Sequence, residues 1–325
     1  MSIDTLSEVL RAVRLTGAVF FNVDATAPWV ADSPAGDEIG PHIMPGVEHV
    51  IEYHMVAAGS CWGGLVGGEA VHLETGDVIV FPQGDAHVMS SAPGMRGDPD
   101  DFPRDAGARQ LPIAMSIQGG GVERTNLICG FLGCDARPFN PLLSALPRVI
   151  HLRRGTGTAH AHFIELALAE SNAQRPGSSS VLARLSELLF IEVVRRYLAT
   201  LPPENVGWLA GLRDDGIGRV LAKIHERPTH EWSIDELARE VGMSRSVLAE
   251  RFAHFVGVPP MQYLAQWRMQ LAATLLSSTS LNLAEIAERV GYGSEAALSR
   301  AYKRWVGVAP ADWRRGKRSE APPAA

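Results

Sequence analysis

Glu52, His54 and His87 are the side chains of the N-terminal half whose types and spacing could do chemistry together. Glu52 and His54 are two apart in the run Val50-Ile-Glu-Tyr-His-Met-Val, so a strand puts them on one face with Val56. His87 ends the stretch Gly76-Asp-Val-Ile-Val-Phe-Pro82-Gln-Gly84-Asp-Ala-His87. A turn at Gly76-Asp77, a strand, a second turn from Pro82 to Gly84 and a return strand would aim that imidazole inward. Imidazole and carboxylate, joined by thiolate from Cys61 or Cys129, suit zinc or another transition ion. The other use of these groups is hydrogen bonding, in the lining of a small effector's pocket or in a packed core. Two expectations follow: a metal held by Glu52, His54 and His87, or a pocket lined by Glu52, His54, Cys61, His87 and Cys129.

A second set of residues is suited to reading base edges. Arginine grips guanine through two hydrogen bonds and glutamate accepts from cytosine. Lysine and arginine further along a helix meet phosphate, which adds affinity without sequence information. The candidates are Ser244, Arg245, Ser246, Ala249 and Glu250, then Ser294, Glu295, Ala296, Ser299, Arg300, Lys303 and Arg304, about fifty residues on. Each charge taken singly is also explained as a solvated surface residue. Glu250 stands where the second stretch has Arg300, and a carboxylate near phosphates is unfavourable unless it is aimed at a base.

The elements that must position this second set occur twice. Ile234, Leu237, Ala238 and Val241 follow the i, i+3, i+4, i+7 spacing of a helix face, as do Leu283, Ile286, Ala287 and Val290. Ser233 with Glu236, and Asn282 with Glu285, predict a capping box at each start. Gly242 and Gly291 end these helices, and the second turn carries one extra residue at Gly293. A second helix follows each turn, with Leu248, Phe252, Phe255 and Val256, or Leu298, Ala301, Tyr302 and Trp305, facing inward. The pattern is helix-turn-helix, whose second helix can enter a DNA major groove. Met261 to Leu276 reads as one connecting helix of about 24 Å. It could hold two readers about 34 Å apart, in successive major-groove faces.

These residues resemble the AraC/XylS family of transcription regulators over roughly residues 216 to 315. The resemblance rests on Gly257-Val-Pro-Pro-Met-Gln-Tyr-Leu, Trp267-Arg-Met, Glu285-Ile-Ala-Glu-Arg-Val-Gly-Tyr-Gly-Ser and Arg300-Ala-Tyr-Lys-Arg-Trp-Val-Gly-Val-Ala-Pro. It implies a bipartite DNA-binding domain acting on double-stranded promoter DNA, with RNA polymerase as a further partner if the protein is an activator. Where this chain has Glu250, that family commonly has a basic residue.

The charge distribution agrees. The chain's formal net charge is −6, yet residues 216 to 318 carry 15 Lys and Arg against 10 Asp and Glu, or +5, leaving −11 elsewhere. That asymmetry places nucleic-acid contact in the C-terminal third. The 3 cysteines are too few for a disulfide framework and match no standard zinc spacing, which suits a reducing cytoplasm. Asp4, Glu8, Arg11 and Arg14 break up the N-terminal apolar residues, against a signal peptide. No apolar run of about 18 residues is present to span a membrane.

In chain order, residues 4 to 15 read as an amphipathic helix. Short strands follow from Gly17 to about Leu152: residues 18–21, 50–56, 70–73, 78–81, 86–89 and 127–132. Several short strands at close spacing predict a sandwich or barrel. The Gly76 to His87 stretch fits the second motif of the cupin family. Pro28-Trp29, Gly59-Ser-Cys61-Trp62, Cys129-Gly-Phe and Pro141-Leu-Leu-Ser-Ala-Leu-Pro resemble the cupin sensor domain that precedes one subgroup of AraC-like regulators. Enzymatic cupins place two histidines before the motif glutamate, and the positions around Gly46 and Glu48 lack them.

Residues 92 to 112 are a long polar loop, read as a lid or a disordered insert. Ala159 to Gln174 and Val181 to Leu198 read as helices, the second with a stripe of Leu182, Leu185, Leu189, Val193 and Tyr197. That stripe covers the barrel or forms a dimer seam, and the resemblance implies a homodimer.

The expected fold class is α+β in two domains. A cupin or jelly-roll β-barrel occupies residues 1–157, a helical connector 158–207, an all-α double helix-turn-helix domain 208–318 and a flexible tail 319–325. The expected function is a sequence-specific DNA-binding transcription regulator whose cupin domain senses a small effector. The competing readings are a metal-dependent cupin enzyme with a helical accessory domain, and hairpins that serve only protein association.

Overall fold

Among the described residues, ten strands form in the N-terminal half: β1 (Thr16–Thr26), β2 (Val30–Ser33), β3 (His49–Ala58), β4 (Ser60–Leu65), β5 (Val71–Glu74), β6 (Val78–Phe81), β7 (His87–Ser90), β8 (Ile113–Gln118), β9 (Arg124–Cys134) and β10 (Ile150–Leu152). The helices are α1 (Thr5–Ala12), α2 (Gly36–Ile43), α3 (Pro141–Ala145), α4 (Thr158–Ala173), α5 (Ser178–Thr200), α6 (Trp208–Arg213), α7 (Asp215–Glu226), α8 (Ile234–Val241), α9 (Arg245–Val256), α10 (Pro260–Ser278), α11 (Leu283–Arg289), α12 (Glu295–Val306) and α13 (Pro310–Glu320). This computed structural model describes residues 4–103, 113–154, 158–173, 175–202 and 204–320. The chain divides into two compact units, one of Leu15–Cys134 with Leu146–Ala199, the other of Met1–Arg14, Asp135–Ala145 and Thr200–Ala325.

In the first unit the strands make a six-stranded sheet, ordered β10-β6-β3-β9-β1-β8, and a four-stranded sheet, ordered β2-β7-β4-β5. These two sheets make up the sheet-rich cupin domain that the sequence predicts. Their shared core includes Phe21, Val23, Val56, Leu127 and Phe131 from the larger sheet and Cys61, Leu73 and Met89 from the smaller. All six predicted strands are present. β2, β4, β8 and β10 were not predicted, because two are three or four residues long and β4 carries two adjacent glycines, Gly63 and Gly64, that weaken its strand signal.

The motif from Gly76 to His87 links the two sheets. Gly76 turns at φ +97 and Gly84 at φ +66, conformations that glycine adopts without strain. β6 lies in the larger sheet and β7 in the smaller, so His87 starts the strand that faces β3 across the core.

Helix α5 packs within this unit. Its Ser186 hydroxyl is 2.8 Å from Tyr53 Oη, and a side chain at Gly17 would put a Cβ 2.3 Å from the Ala183 carbonyl oxygen. Of the stripe read as a possible dimer seam, Leu182, Leu185, Leu189 and Val193 are covered by the chain itself, at most 7% exposed, and Tyr197 is half-buried.

The second unit is helical. Met269, Ala272, Ala273 and Leu276 of α10 share a core with Ile286, Ala287, Val290, Leu298 and Tyr302. Trp208 Nε1 donates to Tyr263 Oη at 2.7 Å, and that hydroxyl is 2.8 Å from His225 Nε2. The three side chains, all buried, tie α6, α7 and α10 together.

Residues 1–14 and 135–145, expected with the sheets, group here. The reason is a set of hydrogen bonds around Gln270, which is 0% exposed. Its Oε1 accepts from the Phe139 amide at 3.0 Å, and the Ala12 carbonyl accepts from Thr274 Oγ1 at 3.1 Å. Arg14 also grips Asp135 through two hydrogen bonds of 2.8 Å.

Candidate nucleic-acid interface and interior cavity

Both helix pairs form as their sequences predict. Ser233 accepts the Glu236 amide at 3.1 Å and Gly242 closes α8 at φ 70. Only half of the capping box expected there is made, because the Glu236 carboxylate lies 2.9 Å from His230 Nε2. Asn282 and Glu285 make the full box on α11. Ser244 and Ser294 are the N-caps of α9 and α12, accepting from Val247 N and Ala297 N, and Gly257 and Gly307 end those helices with positive φ. The two candidate recognition helices thus share cap, length and stop signal.

Their exposed faces also correspond. Leu248 and Phe252 are buried, as are Leu298 and Tyr302. Ser244, Arg245, Ser246 and Glu250 are exposed and Ala249 half-buried. On the second helix Ser294, Glu295, Ala296, Arg300, Lys303 and Arg304 are exposed and Ser299 half-buried. Trp305, expected to face inward, is 36% exposed, and the Arg304 guanidinium lies 5.8 Å from its ring centroid. Arg245 is 3.6 Å from Asp235, both largely exposed, a contact of small energetic weight. Among the described residues, no ion pair engages Arg300 or Lys303.

In the sheet unit, Glu52, His54, His87 and Cys129 line one cavity of about 240 Å³. Cys61 is buried in the core and is not part of that lining. The remaining wall is largely apolar and includes Phe21, Trp29, Met89, Leu127, Phe102 and Phe131. Phe21, Phe102 and Phe131 meet edge to face, with centroids 6.0 to 6.3 Å apart. Phe102 belongs to the long loop; that loop's residues 104–112 lie outside the described residues. Sequence reasoning missed the aromatic wall, since a cavity lining and a core show the same apolar alternation.

Glu52, His54 and His87 are held uncharged. Burial raises Glu52 to about 8, opposed by the Ser33 hydroxyl that donates to it at 2.7 Å. Burial lowers His87 to about 4 and takes His54 well below the usual histidine range, the nearby His87 adding to the second effect. His87 Nδ1 lies 2.9 Å from the Asp85 carbonyl, so that nitrogen carries the proton. His87 Nε2 must then accept from His54 Nε2, 2.7 Å away, which leaves His54 Nδ1 without a proton.

This arrangement does not fit the metal expected from the sequence. Two nitrogens on one tetrahedral zinc sit roughly 3.3 Å apart, whereas the two imidazoles hydrogen-bond to each other. Burial also pushes Cys61 up to about 12 and Cys129 well above the thiol range, and Cys61 stands outside the cavity lining. Among the described residues no group of three or more His, Cys, Asp or Glu side chains is arranged to hold a metal ion.

Residues 4–199 match the family model described as cupin, and residues 237–316 match that of a helix-turn-helix domain. An AraC-like transcription regulator of Streptomyces antibioticus is 33% identical over 96% of this chain and 98% of its own. The HTH-type transcriptional regulator AlkR of Acinetobacter baylyi is 29% identical over 96% of this chain and 99% of its own. The DNA-binding domain of AdpA, solved in complex with a target DNA, is 30% identical over 34% of this chain and 100% of that one, with a TM-score of 0.33.

A cupin domain followed by paired helix-turn-helix elements defines a class of DNA-binding transcription regulator. The chain belongs to the AraC-like transcription regulators. Among the described residues no helix is long and apolar enough to cross a membrane.

Proposed function

We propose that the protein controls transcription in response to a small molecule held in the sheet unit's cavity. α9 and α12 enter successive major-groove faces. Arg245, Ser246 and Ala249, with Glu295, Ala296, Ser299 and Arg300, face base edges, while Lys303 and Arg304 meet phosphate. Ser244 and Ser294 present helix N-termini to the backbone. Glu250 is the exception, a carboxylate that is favourable near phosphates only when it is aimed at a base. The observation that carries this reading is the pair of helices with matching caps and matching exposed positions, one of them bearing an unpaired arginine and lysine.

The effector acts by binding two arrangements of the protein unequally, since equal affinity shifts nothing. The protein works in the cytoplasm, as a homodimer on promoter DNA and with RNA polymerase where it activates. A dimer has to use apolar surface other than the covered stripe of α5, such as Leu188, which is 50% exposed. The uncharged Glu52 and the mutually bonded His54 and His87 are assigned to ligand binding and to no catalytic step.

Gel shifts on promoter-region duplex at two salt concentrations test the DNA half of this reading. Binding should weaken steeply with salt, because each phosphate neutralised releases counterions. Absence of a shift, or a shift insensitive to salt, would return the hairpins to protein association.

A further inference from the structure

Resting on the sensing role just proposed, the cavity's own chemistry narrows what can occupy it. An engineered cavity of about 150 Å³ holds benzene, so this one of about 240 Å³ accommodates on the order of ten non-hydrogen atoms. Phe21, Trp29, Met89, Phe102, Leu127 and Phe131 set an apolar wall, which recovers transfer free energy only from apolar surface.

Charge is excluded on two grounds. Among the described residues no lysine or arginine lines the cavity, and Asp98 and Asp101, both exposed, put carboxylates on its solvent-facing side. An anion would lose its hydration there and gain no cation. A cation meets a different obstacle. Asp32, the buried carboxylate of the lining, is already taken by Arg96 at 3.0 Å and by the Gly97 amide at 3.0 Å. To pair with Glu52 instead, the cation would have to ionise a carboxyl buried beside Phe81 and the two imidazoles, at a desolvation cost for both groups.

Yet the wall is not wholly satisfied. Glu52 is 1% exposed, and its Oε1 has no partner among the described residues, nor do His54 Nδ1 and Trp29 Nε1. All three residues line the cavity. Buried polar atoms without partners are rare in native folds and costly. A protonated Glu52 offers either a proton or a lone pair at Oε1, His54 Nδ1 offers a lone pair and Trp29 Nε1 a proton. A hydroxyl, which both donates and accepts, complements any of them.

We propose that the cavity binds an uncharged, mainly apolar molecule of about ten non-hydrogen atoms bearing one hydroxyl group, with Glu52 as its polar anchor. Four probes of matched size test this on the full-length protein at neutral pH: 3-phenylpropanol, 3-phenylpropanoate, 3-phenylpropylammonium and butylbenzene, by calorimetry and thermal shift. The alcohol should bind at least about ten-fold more tightly than either ion. Glu52→Leu should remove most of the alcohol's advantage over butylbenzene, whereas Glu52→Gln, whose amide still donates and accepts, should keep it. The thermal midpoint of each variant without ligand reports whether it has folded.

If the carboxylate or the ammonium binds tightest, the ligand class assigned here is wrong and the sensing site stands. An alcohol preference unchanged in a folded Glu52→Leu variant overturns the anchor. If no probe binds or moves the midpoint at about 1 mM, the cavity's role as a sensor falls with the class.

Discussion

His54 Nε2 and His87 Nε2 face each other at 2.7 Å, so the pair shares one proton between these atoms and rejects a second. That contact does not fit a metal shared by the two rings, while burial is the larger cause of the neutrality of Glu52, His54 and His87. Burial of these groups also makes the stability of the sheet unit depend on pH in a defined direction.

Burial raises Glu52 from 4.5 to about 8, lowers His87 from 6.5 to about 4 and lowers His54 below 6.5. The histidines contribute stability that is present above their unfolded value of 6.5 and lost as pH falls through the folded values. Glu52 contributes stability that is present below 4.5 and lost as pH rises through about 8. Thermal midpoints should therefore peak near pH 6.5 and decline on both sides. Glu52→Gln should flatten the decline from there to about 8, where the slope from one such group is about 1.4 kcal/mol per pH unit. An unchanged alkaline limb in that variant would show Glu52 ionised in the native state.

Metal chelation gives a second expectation. Since the Glu52, His54 and His87 side chains bond to protein groups or to each other, prolonged chelator treatment should leave the thermal midpoint and DNA binding unaltered. Purified protein should carry less than about one transition ion per ten chains. A midpoint that drops on chelation and recovers with zinc would require the two imidazoles to separate around an ion.

Gln270 accepts the Phe139 amide at 3.0 Å from a fully buried position on α10. Gln270→Ala leaves that amide without its acceptor and should cost about 1 to 3 kcal/mol in denaturant unfolding. The Ala12 carbonyl keeps Thr274 as a donor, so the loss should fall on residues 135–145, read as faster amide exchange there. Protection unchanged at Phe139 would mean that the segment is held by other contacts.

Glu250 offers a test of how the first recognition helix lies. A carboxylate pointed at the backbone repels phosphate, and Glu250→Ala should then tighten binding to unrelated duplex a few-fold at low salt and less at high salt. The reading favoured above, a base-facing Glu250, predicts no such gain and a loss confined to the protein's own site.

Much of this architecture is legible in the sequence. The repeated apolar spacing, with Ser233 and Asn282 ahead of it and Gly242 and Gly291 after it, specifies both helix pairs locally. Gly76, Pro82 and Gly84 do the same for the turns that bring His87 to the core. The cavity is less legible, because Phe21, Trp29 and Phe131 alternate as core residues do, and only the folded chain shows which of them border empty space. Gln270 reads as an ordinary polar position on a long helix. Its burial depends on residues more than a hundred positions away, which no local spacing reports. Likewise, the covered face of α5 depends on the close approach that Gly17 permits.

The most direct measurement is the affinity of wild type and Arg300→Ala for the protein's own promoter-region duplex and for a scrambled duplex, each at two salt concentrations. If α12 reads bases, the substitution should cost about 1 to 3 kcal/mol on the specific site and clearly less on the scrambled one, with salt dependence retained in both. An equal loss on the two duplexes, or no loss on either, would contradict the placement of α12 in the major groove.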